Sequence, residues 1–154
     1  MRIAQIYEGT NGIQAMDLVG RKLAKDNGKG LGYLLEDIDA YLASVSADQR
    51  TAQLKEAVAW LKEASQFIID GHKNDANLLG SVSCDYLELL GLVAFAFMWV
   101  RLANAAAGKS GELAEAKPYL ADFYFAHLLP KAKVLAERIK TDTPAIMTMP
   151  EKLF

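Results

Sequence analysis

Apolar residues recur along this chain three and four positions apart, in stretches separated by clusters of Gly, Pro, Asn and Asp, and that spacing predicts helices throughout. Ile13, Met16, Val19 and Leu23 mark a first helix from about Thr10 to Lys25, stopped by Asp26-Asn27-Gly28-Lys29-Gly30. That cluster follows no strand and has no Gly-Lys-Ser/Thr ending, so it reads as a flexible connector and not as a phosphate loop. Leu34, Leu35, Ile38 and Leu42 make the stripe of a second helix, from about Leu31 to Ser44. Ser46 and Gln49 have capping-box spacing ahead of a third stripe, Leu54, Val58, Leu61 and Ile68, which Gly71 ends.

A fourth helix is expected from about Asp75 to Ala107 and should be the most buried, because it carries the apolar run Leu89 to Val100. Ala94, Ala96 and Ala103 to Ala107 would let neighbours come close. The last helix, about Leu113 to Lys140, has Leu120, Tyr124, Leu128, Leu135 and Ile139 at helical spacing, and Pro130 inside it predicts a kink. Beyond Thr141 the periodicity stops, and Pro144 and Pro150 predict an extended tail. Its Met147, Met149, Leu153 and Phe154 are apolar enough to dock on a groove, with disorder as the competing reading. No segment alternates as a strand would. The expected fold is all-α, an antiparallel bundle of four to five helices.

Composition narrows the function classes. The chain has 154 residues, 52% of them apolar, which suffices for one well-packed domain. A net charge of −2, well mixed in sign, offers no basic surface to nucleic acid or an anionic membrane. The run Leu89 to Val100 is too short to cross a bilayer, so no membrane span is expected. Cys84 is the sole cysteine, so no internal disulfide forms; it reads as a buried, inert thiol in a reducing, cytoplasmic protein. His72 and His127 have no second ligand at zinc-site offsets, so no metal is expected. Trp60, Phe67, Tyr86, Phe95, Phe97, Trp99, Tyr119, Phe123, Tyr124 and Phe125 read as core and not as a cofactor box.

Chemistry concentrates at the start of the chain, in Ile6-Tyr7-Glu8-Gly9-Thr10-Asn11-Gly12-Ile13-Gln14. Here a carboxylate precedes a helix start. Gly9 lets the backbone come close to a ligand, and Thr10 is a good N-cap. The free N–H groups of the first turn favour a phosphate or enolate. Glu8 has an ordinary reading too, as a first-turn acid that complements the helix dipole.

Together with Arg2 and Ile3, the segment resembles the base-bearing segment of the FAD-dependent acyl-CoA dehydrogenases, Tyr-Glu-Gly-Thr followed by Ile-Gln. The resemblance implies that Glu8 removes the α-proton of an acyl-CoA thioester, that its backbone N–H polarises the thioester carbonyl, and that hydride passes from the β-carbon to FAD. It makes Tyr7 and Gly9 substrate neighbours and Thr10 and Asn11 cofactor neighbours. Many members carry Gln or Glu where this chain has Gly12, so no side-chain contact with the flavin nucleotide can come from that position.

Complete members place a helical and a β-domain before this segment, whereas only seven residues precede Glu8. The chain is therefore expected to be a C-terminal part, a truncated form or cleavage product. Residues 1–25 would end the catalytic domain, 31–140 would form a helical extension and 141–154 an extended tail. The chain continues for 146 residues past Glu8, which is similar to the subgroup with a long helical extension, including dehydrogenases of 3-methylmercaptopropionyl-CoA. The implied partners are acyl-CoA, the missing N-terminal domains and a further copy in a homo-oligomer. The isolated chain is expected to be inactive and to bind FAD weakly or not at all. Two other readings stand beside this one: a structural or oligomerisation module without chemistry, and a free-standing helical ligand-binding protein that keeps the motif as a relic.

Overall fold

The computed structural model describes residues 10–75, 77–141 and 149–153, with no strand among them. The first helix, α1 (Asn11–Asp17), runs directly into a wide π-helical segment, π1 (Leu18–Ala24). Then come α2 (Lys29–Ser44), α3 (Gln49–Gly71), α4 (Leu78–Ala106) and α5 (Glu112–Phe123). A second wide segment, π2 (Tyr124–Leu128), leads into α6 (Lys131–Lys140), and Glu151–Leu153 form one 3₁₀ turn.

Cross-helix pairs give the directions. Lys131 pairs with Glu88 and Arg138 with Asp85, so α6 runs antiparallel to α4. Arg50 meets Asp122 and Glu63 meets Lys140, so α3 runs alongside α5 and α6 in the same sense. Tyr41 packs edge-on against Phe97 at 5.6 Å, while Leu31 and Leu34 lie near Tyr86 and Leu90, which makes α2 parallel to α4. The result is an up-down-up-down antiparallel bundle.

One buried cluster joins all layers, from Val19 and Leu23 through Leu54, Leu61, Ile68, Leu89 and Val93 to Leu135 and Ile139. Its centre is α4, which packs against α1, α3, α5 and α6. Length and composition alone would let α4 cross a membrane, a test that the core helix of a bundle also passes. The small residues Ala96 and Ala103 are buried at its contacts.

Several local expectations need correction. The capping box belongs to Asp48 and Thr51: the Thr51 N–H donates to the Asp48 carboxylate and the Asp48 N–H to the Thr51 hydroxyl, each at 2.8 Å. Ser46 and Gln49 share the spacing, but α3 begins at Gln49 itself, so the cap falls on Asp48 and not on Ser46. The connector after π1 is built and not loose. Asn27 and Gly28 take left-handed backbone at φ 55° and 74°, and the Asp26 carboxylate accepts from the N–H groups of Gly28 and Gly30 at 3.0 and 3.1 Å. At Gly71 a Cβ would lie 2.7 Å from Leu78 Cδ2, so the missing side chain is what lets α3 turn closely into α4.

Pro130 does break the last helix, dividing it into α5, π2 and α6. Pro118 also lies inside α5. Cys84 is exposed, because it falls on the outward face of α4. Phe95, Tyr119 and Phe123 are exposed as well and do not belong to the core. Within the tail, Glu151–Leu153 form a 3₁₀ turn in place of extended chain, with Met149 and Leu153 exposed. Met147 and Phe154 lie outside the described residues.

Candidate functional site

The candidate site lies at the head of α1. Tyr7, Glu8 and Gly9 fall outside the described residues, so the structure bears on Thr10 and Asn11. Thr10 occupies the N-cap position, but with helical backbone (φ −85°, ψ −12°) and no capping hydrogen bond from its side chain. The expected Thr10 side-chain cap is therefore not made. Its carbonyl already accepts the Gln14 N–H at 2.9 Å. Asn11 is exposed. A Cβ added at Gly12 would meet nothing within 4 Å among the described residues.

Of the stripe that the spacing suggested, Val19 and Leu23 face the core, but Ile13 and Met16 do not. Ala15, Val19, Leu23 and Ala24 are buried, whereas Ile13 is 70% and Met16 43% exposed. A spacing of four residues drifts around an α-helix, and the wider turn of π1 winds it back, so Ala15, Val19 and Leu23 stay on the bundle side. Ile13 and Met16 point away from the bundle, on the helix that follows Glu8.

Behind α1 the bundle holds a polar contact that sequence reading missed. Tyr86, almost fully buried, bonds to Ser65 at 2.8 Å, and Ser65 donates to the Leu61 carbonyl at 2.6 Å, which leaves Tyr86 as donor to Ser65. Burial pushes the Tyr86 phenol up to about 12, against the opposing effect of Ser65. Tyr124 donates to the Leu92 carbonyl at 2.8 Å, and burial pushes it up to about 12 as well. Neither group can serve as a base near neutral pH. The only signal of the first pair in the sequence was a serine on the apolar stripe of α3. His72 Nδ1 lies 2.8 Å from the Ile69 carbonyl at the end of α3, and His127 stacks on Phe123 with ring centres 4.8 Å apart.

Asn11 offers an exposed carboxamide beside the half-buried Thr10. The cavity beside π1 holds about 250 Å³, less than drug-sized ligands usually need.

Residues 34–150 match the family described as acetyl-CoA dehydrogenase C-terminal like. The chain belongs to that family. It is also similar to 3-methylmercaptopropionyl-CoA dehydrogenase of Ruegeria pomeroyi, at 34% identity over 152 residues, 92% of this chain and 26% of that relative. The chain thus spans about a quarter of the relative's length. The family match begins beyond α1, so it bears on the bundle and on membership in the acyl-CoA dehydrogenases, not on the role of Glu8.

Proposed function

We propose that this chain carries the base of an FAD-dependent acyl-CoA dehydrogenase. The observation that supports the reading is the run Tyr7-Glu8-Gly9-Thr10, with Ile13-Gln14 after it, at the head of a chain that belongs to the family's C-terminal part. Glu8 takes the α-proton of the acyl thioester onto its carboxylate as the α,β double bond forms, and its backbone N–H donates to the thioester carbonyl. FAD, when bound, supplies the acceptor for the β-hydride. Tyr7 and Gly9 line the acyl group, and Thr10 and Asn11 touch the cofactor. Residues 1–25 belong with the catalytic part, 31–140 form the extension, and 141–154 follow as its tail. The protein works in the cytoplasm as a homo-oligomer, with flavin-binding domains completing the pocket.

Glu8→Gln in the flavin-loaded enzyme tests the assignment, because the amide keeps the shape and loses the base. Flavin bleaching by an acyl-CoA under anaerobic conditions should slow by about 10² to 10⁴-fold, with flavin content and fold unchanged. Bleaching at the normal rate would assign the base to another carboxylate. The chain by itself should stay folded and bind FAD weakly or not at all, so a stoichiometric yellow complex on titration would overturn that part.

A non-catalytic helical module is the second reading. It is favoured by the outward apolar face of α4, where Phe95 is 63% exposed and Met98 and Leu102 lie on the same side.

A further inference from the structure

One face of α4 is left open by the bundle. Gly91, Phe95, Met98, Leu102 and Ala105 follow one another at alternating steps of four and three residues, the spacing with which a helix presents a seam to another helix. Phe95, Met98, Leu102 and Ala105 are exposed, and a Cβ built at Gly91 meets nothing within 4 Å. Together with Leu113 of α5, which is 73% exposed, these side chains leave roughly 400 Å² of apolar surface open. That is the size of patch that marks an interaction site, and about half of what each partner buries in a standard interface.

The same face holds a shallow hollow of about 200 Å³, between Leu102, Ala105 and Ala106 of α4 and Leu113 and Ala114 of α5. An apolar cavity of about 150 Å³ already accepts benzene, so this one has room for a phenyl ring. Lys109 and Lys117 reach its rim, and an uncharged ring can lie along their stems without asking anything of their charge. The face supplies such a ring itself. Phe95 stands seven residues, two helical turns, before Leu102. An antiparallel second copy centred near Met98 brings its Phe95 opposite Leu102, over the hollow, and receives the first copy's Phe95 in the same way. A parallel copy would set Phe95 against Phe95 and leave both hollows empty. The seam is small at both ends, Gly91 and Ala105, and large between them, so it reads nearly the same in either direction, as a two-fold interface requires.

We infer that two copies of this chain pair through α4, antiparallel, with Phe95 of each seated in the hollow between α4 and α5 of the other. The inference rests on the homo-oligomer of the proposed function, for which it names the surface, and not on the role of Glu8.

Sedimentation and oxidative cross-linking of the chain provide the test, with the exposed Cys84 as a marker of direction. Cys84 lies seven residues before Gly91 on the same face, so a parallel pair would bring the two copies of Cys84 together, whereas the antiparallel pair holds them about 40 Å apart along the axis. The wild-type chain should sediment as a reversible dimer and form no disulfide on mild oxidation. Met98→Cys in a Cys84→Ser background should cross-link, because Met98 sits at the two-fold axis. Phe95→Ala should weaken the dimer at least tenfold, the loss expected of an aromatic anchor. Phe95 is exposed, so helicity and the thermal midpoint of the monomer should not change. A dimer that Phe95→Ala leaves intact, or a disulfide through Cys84 in place of one in the Met98→Cys variant, would overturn this surface and leave the oligomer standing. A monomer at millimolar protein would overturn both.

Discussion

The two wide turns, π1 and π2, look alike in hydrogen bonding and differ in cause. In π2 the Leu129 N–H reaches back five residues to the Tyr124 carbonyl, and Pro130 follows at once. Proline has no N–H for the Ala126 carbonyl and its ring would press on it in a regular α-helix, so a wider turn relieves both faults. In π1 the Lys25 N–H reaches five back to Gly20, yet no proline lies anywhere in or beside it. There the packing of Ala15, Val19 and Leu23 into the bundle sets the width. One irregularity is written locally and can be read from the chain, whereas the other exists only once the neighbours are in place.

The strongest way to break this comparison is to unpack each turn. Phe125→Ala, in π2, should cost about 3–5 kcal/mol, and Leu23→Ala, in π1, about 2–5 kcal/mol, both read as a fall in the urea midpoint. A Leu23→Ala loss under about 1 kcal/mol would mean that α1 and π1 are only laid on the bundle.

Alkaline titration sharpens the comparison next, since a buried tyrosine stands beside or within each turn. A phenol whose folded pKa is raised stabilises the fold fully below its unfolded pKa, near 10. That contribution is lost as pH rises through about 12. For Tyr86, almost fully buried, the loss is on the order of 2 kcal/mol; for Tyr124, closer to solvent, it is smaller. Tyr86→Phe should flatten the decline in thermal midpoint between about pH 10 and 12 more than Tyr124→Phe does. The reverse order would place the better shielded phenol in π2.

Pro130→Ala should let π2 relax to α-helical bonding, visible in amide exchange and in i to i+4 hydrogen-bond couplings, with a stability change within about 1 kcal/mol. Persistence of π2 in that variant would transfer it to the packing class. Gly20→Ala should leave π1 in place and add about 0.5–1 kcal/mol, because a Cβ there meets nothing within 4 Å. A loss of stability would show that π1 needs the glycine's freedom.

The candidate site was legible only as a motif. Tyr7 to Gln14 can be read because base, glycine and cap occur in one short run, and such local chemistry survives in the order of residues. The side of α1 that faces inward could not be read so. Ile13 and Met16 are large and apolar and fit an α-helical stripe, yet the small Ala15 is the one buried. The cavity beside π1 has the same character, for Tyr86 and Leu90 of α4 close a hollow that π1 and α2 only begin.

By itself the sequence determined the helices, their approximate limits and which residues of α3 and α6 are core, because periodicity, proline and glycine act on the chain's own backbone over a few residues. It also carried the acyl-CoA dehydrogenase motif. The tertiary structure alone decided the width of π1, the exposure of Cys84, Phe95 and Tyr119, and the Ser65–Tyr86 contact. Each of these depends on where a second or third element stops covering the first. Burial is a property of neighbours, and a helix that is apolar on nearly every side, like α4, does not say which side its neighbours will leave open.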